Sequence, residues 1–166
     1  MRTIENDQLL VQIHEKGAEV REVLHKKKGL HYMWSGDSAY WGRVSPVLFP
    51  IVGRLKGDQY KLGDQTYELS QHGFLRDVDF DIYEETKGAV TFQYQSNGRH
   101  LVHYPYEFTA RIRYELSQNG LVISWEIEHE GEGTMYFSIG GHPAFKVPLV
   151  EGGTDKELYV EIDTIH

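Results

Sequence analysis

Residues 108–116 show the clearest pattern in the chain: Phe108, Ala110, Ile112, Tyr114 and Leu116 alternate with Thr109, Arg111, Arg113 and Glu115. A period of two places the two sets on opposite faces of a β-strand. Asn119-Gly120 follows, a dipeptide favoured in two-residue hairpin turns. Leu121, Ile123, Trp125 and Ile127 then alternate with polar residues, including Ser124, Glu126 and Glu128. The expectation is an antiparallel pair with one apolar face and one wet face.

The rest of the chain repeats this theme. Leu9 to His14 and Ala18 to His25 are strand-like runs separated at Gly17, and Leu30 to Trp34 is a third, closed by Ser35-Gly36-Asp37. Asp58 to Leu62 and Thr66 to Leu69 flank Gly63-Asp64, while Val78 to Glu84 and Val90 to Gln95 flank Lys87-Gly88. Almost nothing between the turns has helical period. Repeated hairpins imply an all-β antiparallel protein, a β-sandwich or one large twisted sheet. No repeat or linker divides it, so the 166 residues read as a single domain.

Composition narrows the function classes. Eleven Tyr, seven Phe and three Trp favour strands and offer flat faces to a sugar ring, although sheet packing accounts for most of them. A net charge of −8 argues against nucleic acid, whose recognition starts from a basic face. The short basic stretch His25-Lys26-Lys27-Lys28 sits where a solvated turn belongs. Cysteine is absent, which removes a disulfide framework and a thiol nucleophile. The N-terminus lacks the apolar core of a signal peptide and no segment approaches membrane-spanning length, so a cytoplasmic protein is expected.

Two segments break the alternation: Arg43 to Arg54 with its two prolines, running after a hairpin into Gln71-His72-Gly73-Phe74, and Ser138 to Phe145 with Gly140-Gly141-His142-Pro143. Prolines spoil a central strand, and paired glycines lose entropy without burying side chains. Local rules fail most often where function intrudes. His142 reads equally as a turn cap and as a catalytic group. His72 and Arg54 read more simply as structural and surface residues, and Arg76-Asp77 as an ion pair. His100 and His103 have a spacing open to metal, but no ligand cluster accompanies them, and a surface strand or loop is the better reading. No phosphate loop, dinucleotide fingerprint, GxSxG elbow or HExxH occurs. Two histidines suited to proton transfer and an arginine suited to hydroxyls or phosphate remain, on an aromatic-rich β scaffold.

The stretches SPVLFPIVGRL (45–55), QHGFLRDVDF (71–80) and FSIGGHPAF (137–145), in this order, resemble the aldose 1-epimerase, or galactose mutarotase-like, family. The resemblance covers the whole chain and is strongest to epimerase-like proteins encoded beside lactose-utilisation genes. It implies a supersandwich of antiparallel sheets with an open cleft for a hexose, and interconversion of α and β anomers without metal or nucleotide cofactor. By motif position His142 would be the acid serving the ring oxygen, His72 would orient the sugar there, and Arg54 would bind a ring hydroxyl.

The resemblance also implies two departures. Family members are longer, with a glutamate base and a sugar-binding aspartate toward the C-terminus, so this chain reads as an incomplete N-terminal part with weak or no activity alone. Its final run, Glu157 to His166, looks strand-like, and an unpaired sheet edge would favour self-association. In addition, QHGFLRD resembles the hexose-6-phosphate 1-epimerases, where Arg76, and more loosely Arg43, would contact phosphate. A free hexose is the first expectation and a hexose phosphate the second. A non-catalytic carbohydrate-binding sandwich is a further alternative, and a cupin-like metal protein a weaker one. The enzyme reading requires His142, His72 and Arg54 to meet in one cleft.

Overall fold

The computed structural model describes residues 1–118 and 120–163. Its strands form two four-stranded antiparallel sheets and two small pairs. The first sheet is β1 (Arg2–Glu5), β2 (Leu9–His14), β3 (Glu19–His25) and β4 (Leu30–His31), in that spatial order. In the second, β8 (Asp81–Glu85), β9 (Ala89–Gln95), β10 (Phe108–Leu116) and β11 (Leu121–His129) also lie in sequence order. A run of hairpins produces this, since each short turn returns the chain beside the strand it has just left. The small pairs are β6 (Gln59–Leu62) with β7 (Gln65–Glu68), and β5 (Val47–Leu48) with β12 (Gly140–Gly141).

The period-two pattern sets the core. Ile4, Val11, Ile13 and Val20 of the first sheet and Val90, Phe92, Ile112 and Tyr114 of the second are all at most 2% exposed and belong to one cluster. Each such side chain contributes about 1.5–3 kcal/mol through apolar burial. The Tyr114 hydroxyl donates to the Ala18 carbonyl at 2.6 Å, a buried bond between the two layers. Phe49, completely buried, packs its ring against Tyr104, Phe108 and Phe137 and ties the proline-containing segment to the second sheet.

The structure departs from the sequence expectations in four places. Ile123 and Trp125, on the apolar face of β11, remain 40% and 39% exposed, because β11 is the outer strand of its sheet. The strand expected from Leu30 to Trp34 ends at His31, and Met33 forms only an isolated bridge to Phe145. The strand expected to start at Val78 begins at Asp81, because Leu75–Asp77 is a 3-10 turn and Val78 gives its carbonyl to Gly17. The C-terminal run is not a strand: Asp155–Glu157 is a 3-10 turn, residues 158–163 join no sheet, and residues 164–166 lie outside the described residues. The turn residue Asn119 also lies outside them; on either side Leu116 pairs with Leu121, and the Ser117 amide donates to the Gly120 carbonyl.

Among the described residues no helix is long and apolar enough to cross a membrane.

Candidate active site

The segment from Val44 to Arg54 organises the candidate site. Its two prolines have no N–H to donate but still offer carbonyls. Pro46 accepts from the His142 amide at 3.0 Å and Pro50 from the Ser138 amide at 2.9 Å. Between them Leu48 and Val47 pair with Gly140 and Gly141, and beyond them Ala144 donates to Val44. A Cβ on Gly140 would approach the Val52 side chain tightly, at 3.2 Å, whereas one on Gly141 would make ordinary contact with the Trp125 ring at 3.4 Å. The stretch carrying His142 is thus zipped along one side of the proline segment.

The His72 turn docks on the other side. Phe74 and Leu75 donate to the Phe49 carbonyl, and the His72 amide donates to the Gly53 carbonyl at 2.8 Å. Gly73 at φ +67° is required, because a side chain there would collide with the Phe49 carbonyl. His72 itself has φ +66°, a left-handed conformation that costs a non-glycine residue on the order of 1–2 kcal/mol. Strain of this kind accumulates where surrounding structure holds a side chain in place for a purpose.

The flanking segments bring the two histidines together. The His72 and His142 rings are 6.1 Å apart between centroids and inclined at 67°. They border a cavity of about 200 Å³, together with Gln71 and Arg76 as polar walls and Trp41, Pro46 and Leu48 as apolar ones. The Trp41 ring lies 5.2 Å from that of His142.

Hydrogen bonding fixes the state of His72. Its Nδ1 accepts from the Gly53 amide at 3.0 Å, so the neutral ring carries its proton on Nε2. The Gln71 side-chain amide lies 3.3 Å from that nitrogen, and with the proton there it is the amide oxygen that must turn to accept it. Partial burial, followed by the neighbouring charges of Arg76 and protonated His142, holds His72 below the usual histidine value. A neutral imidazole with Nε2–H presented is a hydrogen-bond donor at neutral pH. His142 is exposed, with its backbone fixed by the Pro46 carbonyl.

The arginines take three different positions. Arg76 lines the cavity and donates to the Gln71 carbonyl at 2.7 Å, while its buried Nε has no hydrogen-bond partner. Arg43 stands behind it, bound to Asp77 at 2.7 Å and reaching the Arg76 carbonyl at 3.4 Å. The expected Arg76–Asp77 pair is only a 3.8 Å contact, because Asp77 is shared with Arg43. Arg54 is not among the cavity-lining residues. It grips Asp58 through two bonds of 2.8 and 2.7 Å, and its side chain is 65% exposed. Trp41 was not singled out from the sequence. Its signal was a tryptophan in a Gly/Asp/Ser turn directly upstream of the proline segment.

A larger cavity, about 560 Å³, lies among Pro50, Tyr60, Tyr104, Tyr136 and Phe137. Its side chains offer no group that titrates near neutrality; burial pushes the Tyr60 hydroxyl up to about 12. Of these two cavities the smaller, lined by His72 and His142, is the better site for proton transfer. Among the described residues no group of three or more His, Cys, Asp or Glu is placed to hold a metal ion. His100 instead stacks on Phe74 at 3.8 Å and meets the Tyr94 hydroxyl at 2.8 Å.

The aldose 1-epimerase family profile matches residues 1–165. The chain belongs to the aldose 1-epimerase family. The protein LacX, chromosomal, of Lactococcus lactis subsp. lactis is 33% identical over 168 residues, covering 98% of this chain and 56% of that protein. Among solved structures, a galactose mutarotase-like protein from Lactobacillus casei ATCC 334 is 40% identical, with a TM-score of 0.86 over 91% of this chain and 51% of that one. A galactose mutarotase related enzyme from Lactobacillus acidophilus is 39% identical, with a TM-score of 0.90 over 94% and 52%. The antiparallel β architecture is thus the galactose mutarotase-like fold, and this chain spans about half the length of these relatives.

Proposed function

We infer that the histidine-lined cavity is the acid side of a sugar 1-epimerase site that binds a hexose and serves its ring oxygen. The observation carrying this reading is the meeting of His72 and His142 across 6.1 Å, with Arg76 and an indole wall beside them. Family membership supports the same chemistry.

In this reading His142 gives a proton to the ring oxygen as the bond from that oxygen to C1 breaks. A base removes the proton of the C1 hydroxyl, whose oxygen becomes the aldehyde carbonyl. Rotation about the C1–C2 bond presents the other carbonyl face, and the reverse transfers close the ring as the opposite anomer. Positioned acid–base groups of this kind contribute about 10²–10⁴ in rate. His72, neutral and donating from Nε2, holds the ring oxygen where His142 reaches it. No carboxylate lines the cavity among the described residues. The base of the complete reaction is accordingly assigned to no residue here, and the chain alone is a weak catalyst or a binding module.

A second reading is favoured by Arg76. It lines the cavity, and Arg43 stands next to it, whereas Arg54 is held by Asp58 outside. A guanidinium in that position suits the phosphate of a hexose 6-phosphate.

Polarimetry tests both readings: freshly dissolved α-D-galactose, α-D-glucose or glucose 6-phosphate is mixed with the chain and mutarotation followed against buffer. Acceleration that disappears in His142→Ala supports the epimerase reading, and the best sugar decides between free and phosphorylated substrates. Acceleration that survives in His142→Ala contradicts the role given to His142. Binding without acceleration assigns the chain a binding role.

A further inference from the structure

We propose that Glu19 is the positioning residue for His142: its carboxylate holds the backbone strip from which the proton donor hangs. The consequence for a sugar rests on reading the histidine-lined cavity as a hexose site. Glu19 opens β3, where it pairs with His14 across the first sheet. The residue before it, Ala18, is completely buried, and its carbonyl takes the Tyr114 hydroxyl of the second sheet. One residue earlier, the Gly17 amide donates to the Val78 carbonyl at 2.7 Å. The backbone carrying Glu19 is thus fixed between the two layers, and its side chain is only 12% exposed. A carboxylate on so rigid a base is a fixed post.

Its Oε1 accepts from the Val44 amide at 2.6 Å and from the Ser45 amide at 3.0 Å. Neither amide has a backbone acceptor among the described residues, and Val44 and Ser45 are both buried. Water cannot readily replace the carboxylate there, and losing it would strand two buried donors. Hydrogen bonds to a carboxylate are also the stronger kind. Oε2 binds Arg21 at 3.0 Å, and the same guanidinium nitrogen reaches the Gly42 carbonyl at 3.5 Å. The two side chains grip the backbone on either side of Arg43.

The gripped strip is the one that carries His142. The Val44 carbonyl accepts from the Ala144 amide at 2.8 Å, and the Pro46 carbonyl from the His142 amide at 3.0 Å. Val47 pairs with Gly141. His142 and the residues flanking it are therefore bonded to residues 44–47, whose first two amides end on Glu19. Gly42 in turn follows Trp41, whose ring lies 5.2 Å from that of His142. The His72 turn is held elsewhere, through Phe49 and Gly53. Glu19 should accordingly govern one histidine of the pair more than the other. That asymmetry separates positioning from general support of the fold.

Histidine side-chain ¹H–¹⁵N spectra of the full chain, free and with D-galactose, test this in Glu19→Gln, Glu19→Asp and Glu19→Ala. Glu19→Gln keeps an oxygen within reach of both amides and should leave the His142 ring signals close to wild type. Glu19→Asp keeps the charge but withdraws the oxygen by one methylene, and should displace them; Glu19→Ala should displace them further. In both, the His72 signals should move much less, and the galactose response of His142 should be lost while that of His72 persists. Unchanged His142 signals in Glu19→Asp or Glu19→Ala overturn the proposal. Equal movement of His72 and His142 also overturns it, since that reports a general loosening. Displacement as large in Glu19→Gln as in Glu19→Asp does so too, because an oxygen in reach would then have no effect. Should Glu19→Ala fail to fold, Glu19→Asp against Glu19→Gln decides the same point. A wild type without any galactose response overturns the hexose reading, and the sugar-free spectra still decide the role of Glu19.

Discussion

The backbone amide of Gly53 donates to Nδ1 of His72 at 3.0 Å, and the amide of His72 returns a bond to the Gly53 carbonyl at 2.8 Å. This reciprocal pair joins the proline segment to the histidine turn and sets which ring nitrogen of His72 carries the proton. It also gives Gly53, the neighbour of Arg54, a part in the site that Arg54 itself does not take.

His72 should titrate below the ordinary histidine value of 6.5, because desolvation and the charges of Arg76 and His142 oppose its protonation. Its neutral form should show the Nε2–H tautomer in long-range ¹H–¹⁵N spectra. A normal titration with the proton on Nδ1 would contradict the account of the Gly53 bond.

The same shift has a consequence for stability. His72 and the more deeply packed His100 both have folded pKa values lowered chiefly by burial. Between the folded and unfolded values the unfolded chain binds more protons, so stability rises with pH there. Their contribution is complete above pH 6.5 and is lost progressively as pH falls toward the folded values. Chemical denaturation between pH 7.5 and pH 5 should show that decline. His100→Phe, which keeps the stack on Phe74, should flatten it; an unchanged slope would remove His100 from the explanation.

Gly73→Ala should destabilise the chain by about 2 kcal/mol or more, since it combines a left-handed backbone with a collision against the Phe49 carbonyl. The denaturant midpoint measures this. The variant should also move the His72 signals, because the turn must shift to clear Phe49. A midpoint equal to wild type would mean that the close approach is not required.

Tyr114→Phe removes the bond between the layers and leaves the Ala18 carbonyl buried without its partner. A loss of about 1–3 kcal/mol follows from an unsatisfied buried acceptor. The denaturant slope should be unchanged, as the core area is nearly the same.

The arginines divide cleanly. Arg54→Ala breaks an exposed pair with Asp58 and should leave both the thermal midpoint and sugar binding close to wild type. Arg76→Ala, which strips a wall of the cavity, should weaken binding of a hexose 6-phosphate most. The opposite ranking, measured by calorimetry, would reinstate Arg54 as the sugar ligand.

The second sheet was legible because Phe108 to Leu116 and Leu121 to Glu128 alternate cleanly and are neighbours in both sequence and space. The sequence also pointed to His72 and His142, since glycines and prolines around them broke the strand pattern for lack of a ladder to join. Their meeting was less visible. It depends on hydrogen bonds from the His142 amide to the Pro46 carbonyl and from the Gly53 amide to His72, which span long sequence separations and leave no periodic trace. The position of the Arg54 side chain was hidden for a related reason: an exposed carboxylate four residues on, Asp58, binds its guanidinium. Trp41 was hidden among aromatics whose ordinary role is packing.

The central claim is that His72 and His142 face one sugar. Side-chain ¹H–¹⁵N spectra of the histidines, recorded while D-galactose and then galactose 6-phosphate are titrated in, test it most directly. The account predicts that the His72 and His142 ring signals shift together and saturably, while those of His25 and His31 in the first sheet stay fixed. Shifts confined to other histidines, or none with either sugar, would contradict it.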